Sequence, residues 1–156
     1  MKYKKNEVAV FADLNGWRVN DGTVPPDLVL TGQVPDLVIV DRSTKPIKVM
    51  LVELTVPWDT ASSFKEACDR KTLRYMRLEE DLRLEGYSPY NLPLEIGCRG
   101  VVNTRNMGVL ATICSLVGIR SMKRLRANLG RIALLGSYSI WLARRSQDWT
   151  PEELIR

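Results

Sequence analysis

The sequence predicts an α/β domain built on a mixed β-sheet, and three patterns carry this prediction. Two β-branched apolar runs, residues 37–41 and 49–56, are joined by the turn-forming segment RSTKP, as in an antiparallel hairpin. A helical stripe of apolar residues covers residues 60–85, and a further short strand is predicted over residues 92–98. A strand, a crossover helix and a strand in this order imply a right-handed parallel pairing.

The remaining chain is predicted to be helical or irregular. Residues 2–14 space their apolar positions as in a short amphipathic helix, and a Gly- and Pro-rich loop then leads to an extended piece at residues 28–31. Two or three helices are predicted after residue 103. We expect one domain over all 156 residues, with a core of about residues 1–102 and a C-terminal helical extension of about residues 103–156.

Composition excludes several classes of catalyst. The chain has no histidine, which rules out a Ser-His-Asp or Cys-His pair and an HExxH zinc site. Its three cysteines form no CxxC pair, so we expect free thiols in a reducing, intracellular compartment. No apolar run reaches the length of a membrane span, and we expect no membrane contact. Any catalysis is left to carboxylates, lysine or a metal.

Charge is distributed unevenly along the chain. Residues 1–98 hold 13 Lys/Arg and 15 Asp/Glu, whereas residues 99–156 hold 10 and 3. A basic tail fits a polyanion partner such as DNA, and a solvated basic helix face is the alternative. Tyr138, Trp141 and Trp149 accompany the tail, and for the first two rings we favour core positions over base stacking. The candidate nucleic-acid-binding residues are Arg99, Arg120, Lys123, Arg124 and Arg126, although a strand end between glycines also explains the GCRG run around Arg99.

A pair of acids in the predicted hairpin is the candidate catalytic centre. If the turn centres between Thr44 and Lys45, Asp36 lies directly opposite Glu53, and Thr55 points to the same face. Two adjacent carboxylates repel each other unless a cation joins them, and oxygen ligands favour Mg²⁺ or Mn²⁺. Such a metal can bind a phosphate oxygen and acidify a water molecule. The alternative is an Asp36 that starts a strand and a Glu53 on the solvent side of the sheet.

A lysine in the following helix is the third candidate. Lys71 falls in the apolar stripe with Phe64 and Tyr75, where an ammonium group is costly without a partner. The helix begins just after the strand of Glu53, so Lys71 could approach the two carboxylates, with Tyr75 one turn further along. The alternative is that the lysine stem runs past the edge of the core into solvent.

The segments VPDLVIVD, VMLVELTVPWD, RKTLRY and LEIGCRGVV together resemble the PD-(D/E)XK nuclease superfamily over roughly residues 33–102. The chain is similar in particular to the restriction-like endonuclease domains of non-LTR retroelement polyproteins, including its GIR and WLARR segments. The resemblance implies a restriction-endonuclease-like α-β-β-β-α-β core and a metal-dependent DNA endonuclease. It also implies that Asp36, Glu53 and the backbone carbonyl of Leu54 hold Mg²⁺ or Mn²⁺.

The sequence departs from the superfamily pattern at two points. Thr55 stands where the pattern has a lysine, so Lys71 is the candidate to orient the attacking water and offset transition-state charge. The upstream acid is uncertain, with Glu7 on the predicted first helix as the candidate and a solvated surface glutamate as the alternative.

Several questions of partner and activity stay open at this point. Besides DNA, the resemblance leaves open RNA or an RNA-DNA hybrid, a homodimer, and a fused or associated reverse transcriptase. A eukaryotic retroelement would place the chain in the nucleus. The alternative functions are a catalytically silent nucleic-acid-binding or interaction module of the same fold, and a structure-selective junction nuclease.

Overall fold

The sheet and helices form the α/β domain that the sequence predicts. A computed structural model describes residues 3–5, by their backbone alone, and residues 7–144. Five strands form one mixed sheet in the order β1-β2-β3-β4-β5, with antiparallel pairs from β1 to β4 and a parallel β4–β5 pair. The elements are β1 Tyr3–Lys5, β2 Val8–Ala12, β3 Leu37–Asp41, β4 Lys48–Thr55, α1 Ala61–Leu84, β5 Ser88–Glu95, α2 Asn106–Val117 and α3 Met122–Ala143.

The register of the central hairpin is the one predicted. Leu37 pairs with Val52 and Asp41 pairs with Lys48. Continued by one residue, this register places Asp36 opposite Glu53. This arrangement places Asp36, just before β3, beside the end of β4. The parallel pairing of β4 with β5 is also confirmed, with α1 as the crossover helix.

Helix α1 begins and ends at recognisable capping residues. The Thr60 hydroxyl accepts a hydrogen bond from the Ser63 amide at 3.2 Å, and Gly86 follows the helix with φ +84°, where a side chain would be strained. The predicted helix over residues 60–85 therefore differs from the observed one by a single residue at each end. The buried face of α1 packs against one face of the sheet. The buried residues of this core are Phe11, Val24, Leu28, Val38, Val40, Val49, Leu51, Tyr75, Leu78 and Leu82.

The other face of the sheet is covered by the C-terminal helices. Leu110 and Ile113 of α2 are buried against strand residues, and Leu125 and Leu129 of α3 pack on the same core. The predicted helical extension therefore forms the third layer of an α/β/α arrangement. The strand residues of this second core are Val8, Val10, Ile39, Met50, Val52 and Leu94.

Two expectations for the first part of the chain are wrong. The helix predicted over residues 2–14 is wrong, because this stretch contains the strands β1 and β2 and no helix precedes the sheet within the described residues. Strand β2 is buried on both faces, with Val8 and Val10 in one core and Phe11 in the other, and this double burial hides the period of two. Residues 28–31 are not a strand: Leu28 is a buried turn residue whose amide donates to the Pro25 carbonyl at 3.0 Å.

Helix α3 differs from the expectation of a packed helix. Tyr138 is 55% exposed and Trp141 is 45% exposed, so the prediction that these rings anchor the core is wrong. They stack on each other with centroids 6.1 Å apart, and the Arg144 guanidinium lies 5.0 Å from the Trp141 centroid. Trp149 lies outside the described residues. No helix in the described part of the chain is long and apolar enough to cross a membrane.

Candidate active site

The two predicted acids meet at one edge of the sheet. Strands β3 and β4 are antiparallel, so the start of β3 and the end of β4 lie at the same edge. There the Asp36 amide donates to Glu53 Oε2 at 3.1 Å, and the Leu54 amide donates to Asp36 Oδ2 at 2.8 Å. Each acid therefore accepts a hydrogen bond from the backbone of the opposite strand. The expected juxtaposition of Asp36 and Glu53 is confirmed.

Glu53 is a buried carboxylate surrounded by hydrogen-bond donors. Its side chain is 3% exposed, Lys71 Nζ donates to Oε1, and the Tyr75 hydroxyl donates to Oε2 at 2.9 Å. Burial alone would raise the pKa of Glu53, but hydrogen bonds from Lys71, the Asp36 amide and Tyr75 outweigh it and lower that pKa. The site therefore holds Glu53 in its ionised form.

Lys71 reaches inward, as its position in the apolar stripe of α1 predicts. Its side chain is 15% exposed and its ammonium group is ion-paired with Glu53, so its stem does not carry the charge into open solvent. Tyr75, one turn further along α1, is completely buried. Burial and the neighbouring Glu53 raise the pKa of the Tyr75 hydroxyl, which therefore stays protonated and donates to Glu53.

A further cation lies beside this pair, and the sequence reasoning did not identify it. Arg74 Nη1 is 3.5 Å from Glu53 Oε1, and its guanidinium lies 5.4 Å from the centroid of the Tyr75 ring. The Arg74 carbonyl also accepts a hydrogen bond from Gln33 Nε2 at 2.8 Å. The only sequence signal for Arg74 was its position directly before the buried Tyr75.

Asp36 has the opposite electrostatic environment to Glu53. Burial raises the pKa of Asp36, the hydrogen bond from the Leu54 amide lowers it, and the negative charge of Glu53 raises it further, with a net upward shift. The protein therefore compensates the negative charge of Asp36 less than that of Glu53. A bound cation would relieve that charge.

Asp13 is an acid of this edge that the sequence reasoning missed. It directly follows β2, and its amide donates to the Asp36 carbonyl at 2.9 Å. Its charge contributes to the raised pKa of Asp36, and its own Oδ1 is 2.5 Å from Arg18 Nη2. Recognition of residues 8–12 as a strand would have placed Asp13 beside Asp36.

Glu7 is not the upstream acid of the site. It lies in the turn between β1 and β2, where its carbonyl accepts a hydrogen bond from the Arg42 amide at 2.9 Å. Arg42 follows β3, whereas Asp36 precedes it, so the full length of β3 separates Glu7 from Asp36. The correction follows from the strand that replaces the predicted helix.

Thr55 is the last residue of β4 and pairs with β5. It is half-buried, lies two residues after Glu53 and so faces the same side of the sheet, and its Cα partner in β5 is Glu95. Glu95 is 1% exposed, and its Oε1 has no hydrogen-bond partner among the residues that the structure describes. A hydroxyl at Thr55 cannot supply the positive charge that Lys71 brings to Glu53.

The oxygen atoms at this edge suit a hard divalent cation. Asp36 and Glu53 offer carboxylates, and the Leu54 carbonyl faces the Asp36 side because the N–H and C=O of a strand residue point to the same neighbour. Within the described residues, no group of three His, Cys, Asp or Glu side chains is placed to hold a metal. The candidate ligand set is therefore two carboxylates and one backbone carbonyl, which favours Mg²⁺ or Mn²⁺ over Zn²⁺.

The predicted nucleic-acid-binding residues lie apart from the acid pair. Arg99 follows β5 in a tight turn, with its side chain 72% exposed and ion-paired with Asp59. The others are exposed residues on α3 or just before it: Arg120, Lys123, Arg124 and Arg126. The structure therefore places four of the five candidates on or next to α3 and Arg99 in the turn after β5.

Comparison of the chain with known protein families, curated proteins and solved structures finds no match.

Proposed function

We propose that the protein is a metal-dependent DNA endonuclease that hydrolyses phosphodiester bonds at the Asp36–Glu53 edge of the sheet. The observation that carries this proposal is the convergence of Asp36, Glu53 and Lys71, from three different elements, on one small site. A lysine ammonium beside two carboxylates supplies the charges that phosphodiester hydrolysis needs. The sequence resemblance to the PD-(D/E)XK superfamily, in its retroelement branch, supports the same assignment.

Each residue has a distinct part in this proposal. Asp36, Glu53 and the Leu54 carbonyl would hold Mg²⁺ or Mn²⁺, which supplies a Lewis acid for a phosphate oxygen and lowers the pKa of a bound water. Lys71 places its ammonium protons at Glu53 Oε1, from where they can orient the attacking water and offset negative charge on the phosphate. Tyr75 fixes the Glu53 carboxylate through Oε2.

A polyanionic substrate is consistent with the charge of the chain. The net charge is +5, and residues 96–147 contain nine Lys or Arg and no Asp or Glu. Such an excess raises the local concentration of nucleic acid and accelerates its association. DNA is the substrate we propose, and an RNA strand or a hybrid presents the same phosphate chemistry to the site.

A catalytically silent nucleic-acid-binding module is the second candidate, and one observation favours it. Glu53 Oε2 already accepts two hydrogen bonds and Oε1 is ion-paired with Lys71, so a metal would have to share Oε1 with Lys71 or displace a donor. A junction nuclease would use the same active site with a branched substrate.

The deciding experiment is cleavage of labelled DNA duplexes and branched junctions by the purified chain with Mg²⁺, Mn²⁺ or EDTA. Asp36→Asn is the matched control, because its amide oxygen keeps the acceptor for the Leu54 amide. Metal-dependent products from the wild type and not from the variant support the nuclease. Binding of DNA without cleavage under any metal would support the silent module, and cleavage confined to junctions would identify the structure-selective enzyme.

A further inference from the structure

A basic groove lies between the turn after β5 and helix α3. On the helix side its walls are residues spaced three or four apart, which places them on one face of α3. On the other side are Arg99 and Gly100 of the turn. The cations that line the groove are Arg99, Lys123, Arg126 and Arg131, all of them exposed.

Close contact between two glycines joins the walls of the groove. A Cβ atom at Gly100 would lie 2.6 Å from the Gly130 carbonyl oxygen, and a Cβ at Gly130 would lie 2.6 Å from the Gly100 carbonyl oxygen. Gly100 also has φ +85°, a conformation that other residues rarely adopt. The turn and α3 therefore touch backbone to backbone, and this contact sets the distance between Arg99 and the cations of α3.

Arg99 is held at the mouth of the groove by a buried acid. The Asp59 side chain is 3% exposed, and its Oδ2 accepts hydrogen bonds from the Arg99 amide at 2.9 Å and from Arg99 Nε at 3.0 Å. The Asp59 carboxylate lies against Gly97, where a Cβ would be 1.8 Å from Oδ1. Asp59 uses only the Nε edge of the guanidinium, which leaves the Nη donors for another acceptor.

The other basic residues of this region belong to a different surface. Arg120 and Arg124 line a separate, smaller depression near the first turn of α3, together with Ile119 and Asn128. The two pairs Lys123/Arg126 and Arg120/Arg124 thus carry equal charge on the same helix end but border different grooves. This difference provides a matched control.

We propose that the groove between Arg99 and α3 binds the phosphate backbone of the nucleic acid, and that Asp59 is the positioning residue for Arg99. The inference rests on the proposed function in taking a nucleic acid as the ligand, and it adds where the backbone lies. The turn follows the carboxyl end of β5, which is parallel to β4, so Arg99 and Gly100 lie at the same edge of the sheet as Glu53. Helix α3 packs on the face of the sheet opposite to α1, so a nucleic acid in the groove would have to pass around this edge to reach Glu53.

The test measures affinity for a short labelled DNA duplex by fluorescence anisotropy in EDTA, where cleavage does not interfere. Lys123→Ala/Arg126→Ala should weaken binding by about 10-fold or more and reduce the slope of log affinity against log salt by about 2. Arg120→Ala/Arg124→Ala removes the same charge and should change affinity by less than about 3-fold. Equal losses in both double variants, or no loss in either, would overturn the groove assignment.

The Asp59→Asn variant distinguishes two effects of Asp59 on DNA affinity, namely its positioning of Arg99 and its negative charge. Removal of a negative charge near the groove would by itself tighten DNA binding, whereas loss of the Arg99 anchor should weaken it by a few-fold. In an Arg99→Gln background, Asp59→Asn should cause no further loss of affinity, since Asp59 positions only Arg99, and the removed negative charge should then tighten binding slightly. Tighter binding by Asp59→Asn, or additive losses in the double variant, would overturn its positioning role.

The same measurements keep this inference distinct from the nuclease proposal. If no metal supports cleavage but the groove pair still controls affinity, the groove stands and the nuclease fails. If cleavage occurs and the groove pair has no effect on affinity or its salt dependence, the nuclease stands and the groove fails.

Discussion

The acid site and the basic groove handle charge in opposite ways. At the acid site Glu53 is buried, and the negative charge is balanced by Lys71 and Arg74 within the protein. In the groove the cations are exposed, and of the carboxylates only Asp59 is paired with one of them in the described residues. The charges at the acid site therefore contribute to folding, whereas those in the groove remain available to a ligand. Substitutions should therefore affect stability at the acid site and ligand affinity in the groove.

The largest effect is expected from the two acids. Asp36→Asn and Glu53→Gln should each lower the metal-dependent cleavage rate by more than about 1000-fold, which is roughly 4 kcal/mol of transition-state stabilisation. Both amides keep an oxygen acceptor for the backbone donors of this edge. Single-turnover cleavage of labelled DNA measures the loss. Wild-type cleavage rates in both variants would show that the active site lies elsewhere.

Alanine at the same positions should separate stability from chemistry. Glu53→Ala leaves the buried Lys71 and Tyr75 groups without their acceptor, and it should destabilise the fold by about 3–5 kcal/mol. Asp36→Ala removes a less buried group and should cost far less. Urea unfolding of both variants tests this contrast, and equal destabilisation would contradict the different roles assigned to the two acids.

The second effect concerns Lys71. Lys71→Met keeps the bulk of the stem and removes the ammonium, so the cleavage rate should fall by about 100-fold or more. Adding Thr55→Lys should restore part of the activity, because Thr55 faces the side of the sheet on which Lys71 of α1 reaches Glu53. The control is Thr55→Lys alone, which should not raise the rate of the wild type. No recovery in the double variant would contradict the exchange of positions.

The sequence predicted the part of the site that depends on local patterns. The turn signal between the two β-branched runs determined the hairpin register, and that register alone brings Asp36 to Glu53. Lys71 was identified because an ammonium in an apolar stripe needs a partner, which the structure provides. The roles of these residues in catalysis remain predictions.

The rest depends on tertiary contacts that a single sequence does not encode locally. Residues 8–12 are buried on both faces, so their apolar pattern has no clean alternation, and Asp13 was missed together with that strand. Tyr138 and Trp141 fit a core by composition, but no residue of α3 after Ala133 is buried. The Asp59–Arg99 pair joins two loops 40 residues apart, a pairing without a periodic signal.

The third effect tests the backbone contact that shapes the groove. Gly130→Ala places a Cβ against the Gly100 carbonyl, which must shift, and it should destabilise the fold by about 1–3 kcal/mol and weaken DNA binding in EDTA. Gly136→Ala lies on the same helix with no atom within 4 Å of its Cβ. This control should gain up to about 1 kcal/mol from helix propensity and keep wild-type affinity. Equal behaviour of the two variants would show that the glycine contact does not shape the groove.

The smallest effect is a change in the stability of the metal-free protein at Asp36. The folded-state pKa of Asp36 is raised above its ordinary value of 3.8, so its contribution to stability is fully present below pH 3.8 and is lost as the pH rises through the folded-state pKa. Asp36→Asn removes this loss and should stabilise the metal-free protein at neutral pH by less than about 1 kcal/mol, a limit that allows for solvent screening. The advantage should disappear at pH values below 3.8, where Asp36 is protonated in both the folded and unfolded states.

Divalent metal should reverse that difference. Mg²⁺ or Mn²⁺ bound at the acid pair stabilises the folded wild type by mass action, whereas the Asp36→Asn variant lacks one carboxylate ligand and should gain less. Thermal unfolding of both proteins at neutral pH, in EDTA and at increasing metal concentration, measures the two melting temperatures. The variant should melt higher in EDTA and lower at saturating metal, because the charge that destabilises the metal-free site is the one that holds the cation. A wild type whose melting temperature does not respond to either metal would contradict the ligand assignment without any reference to cleavage.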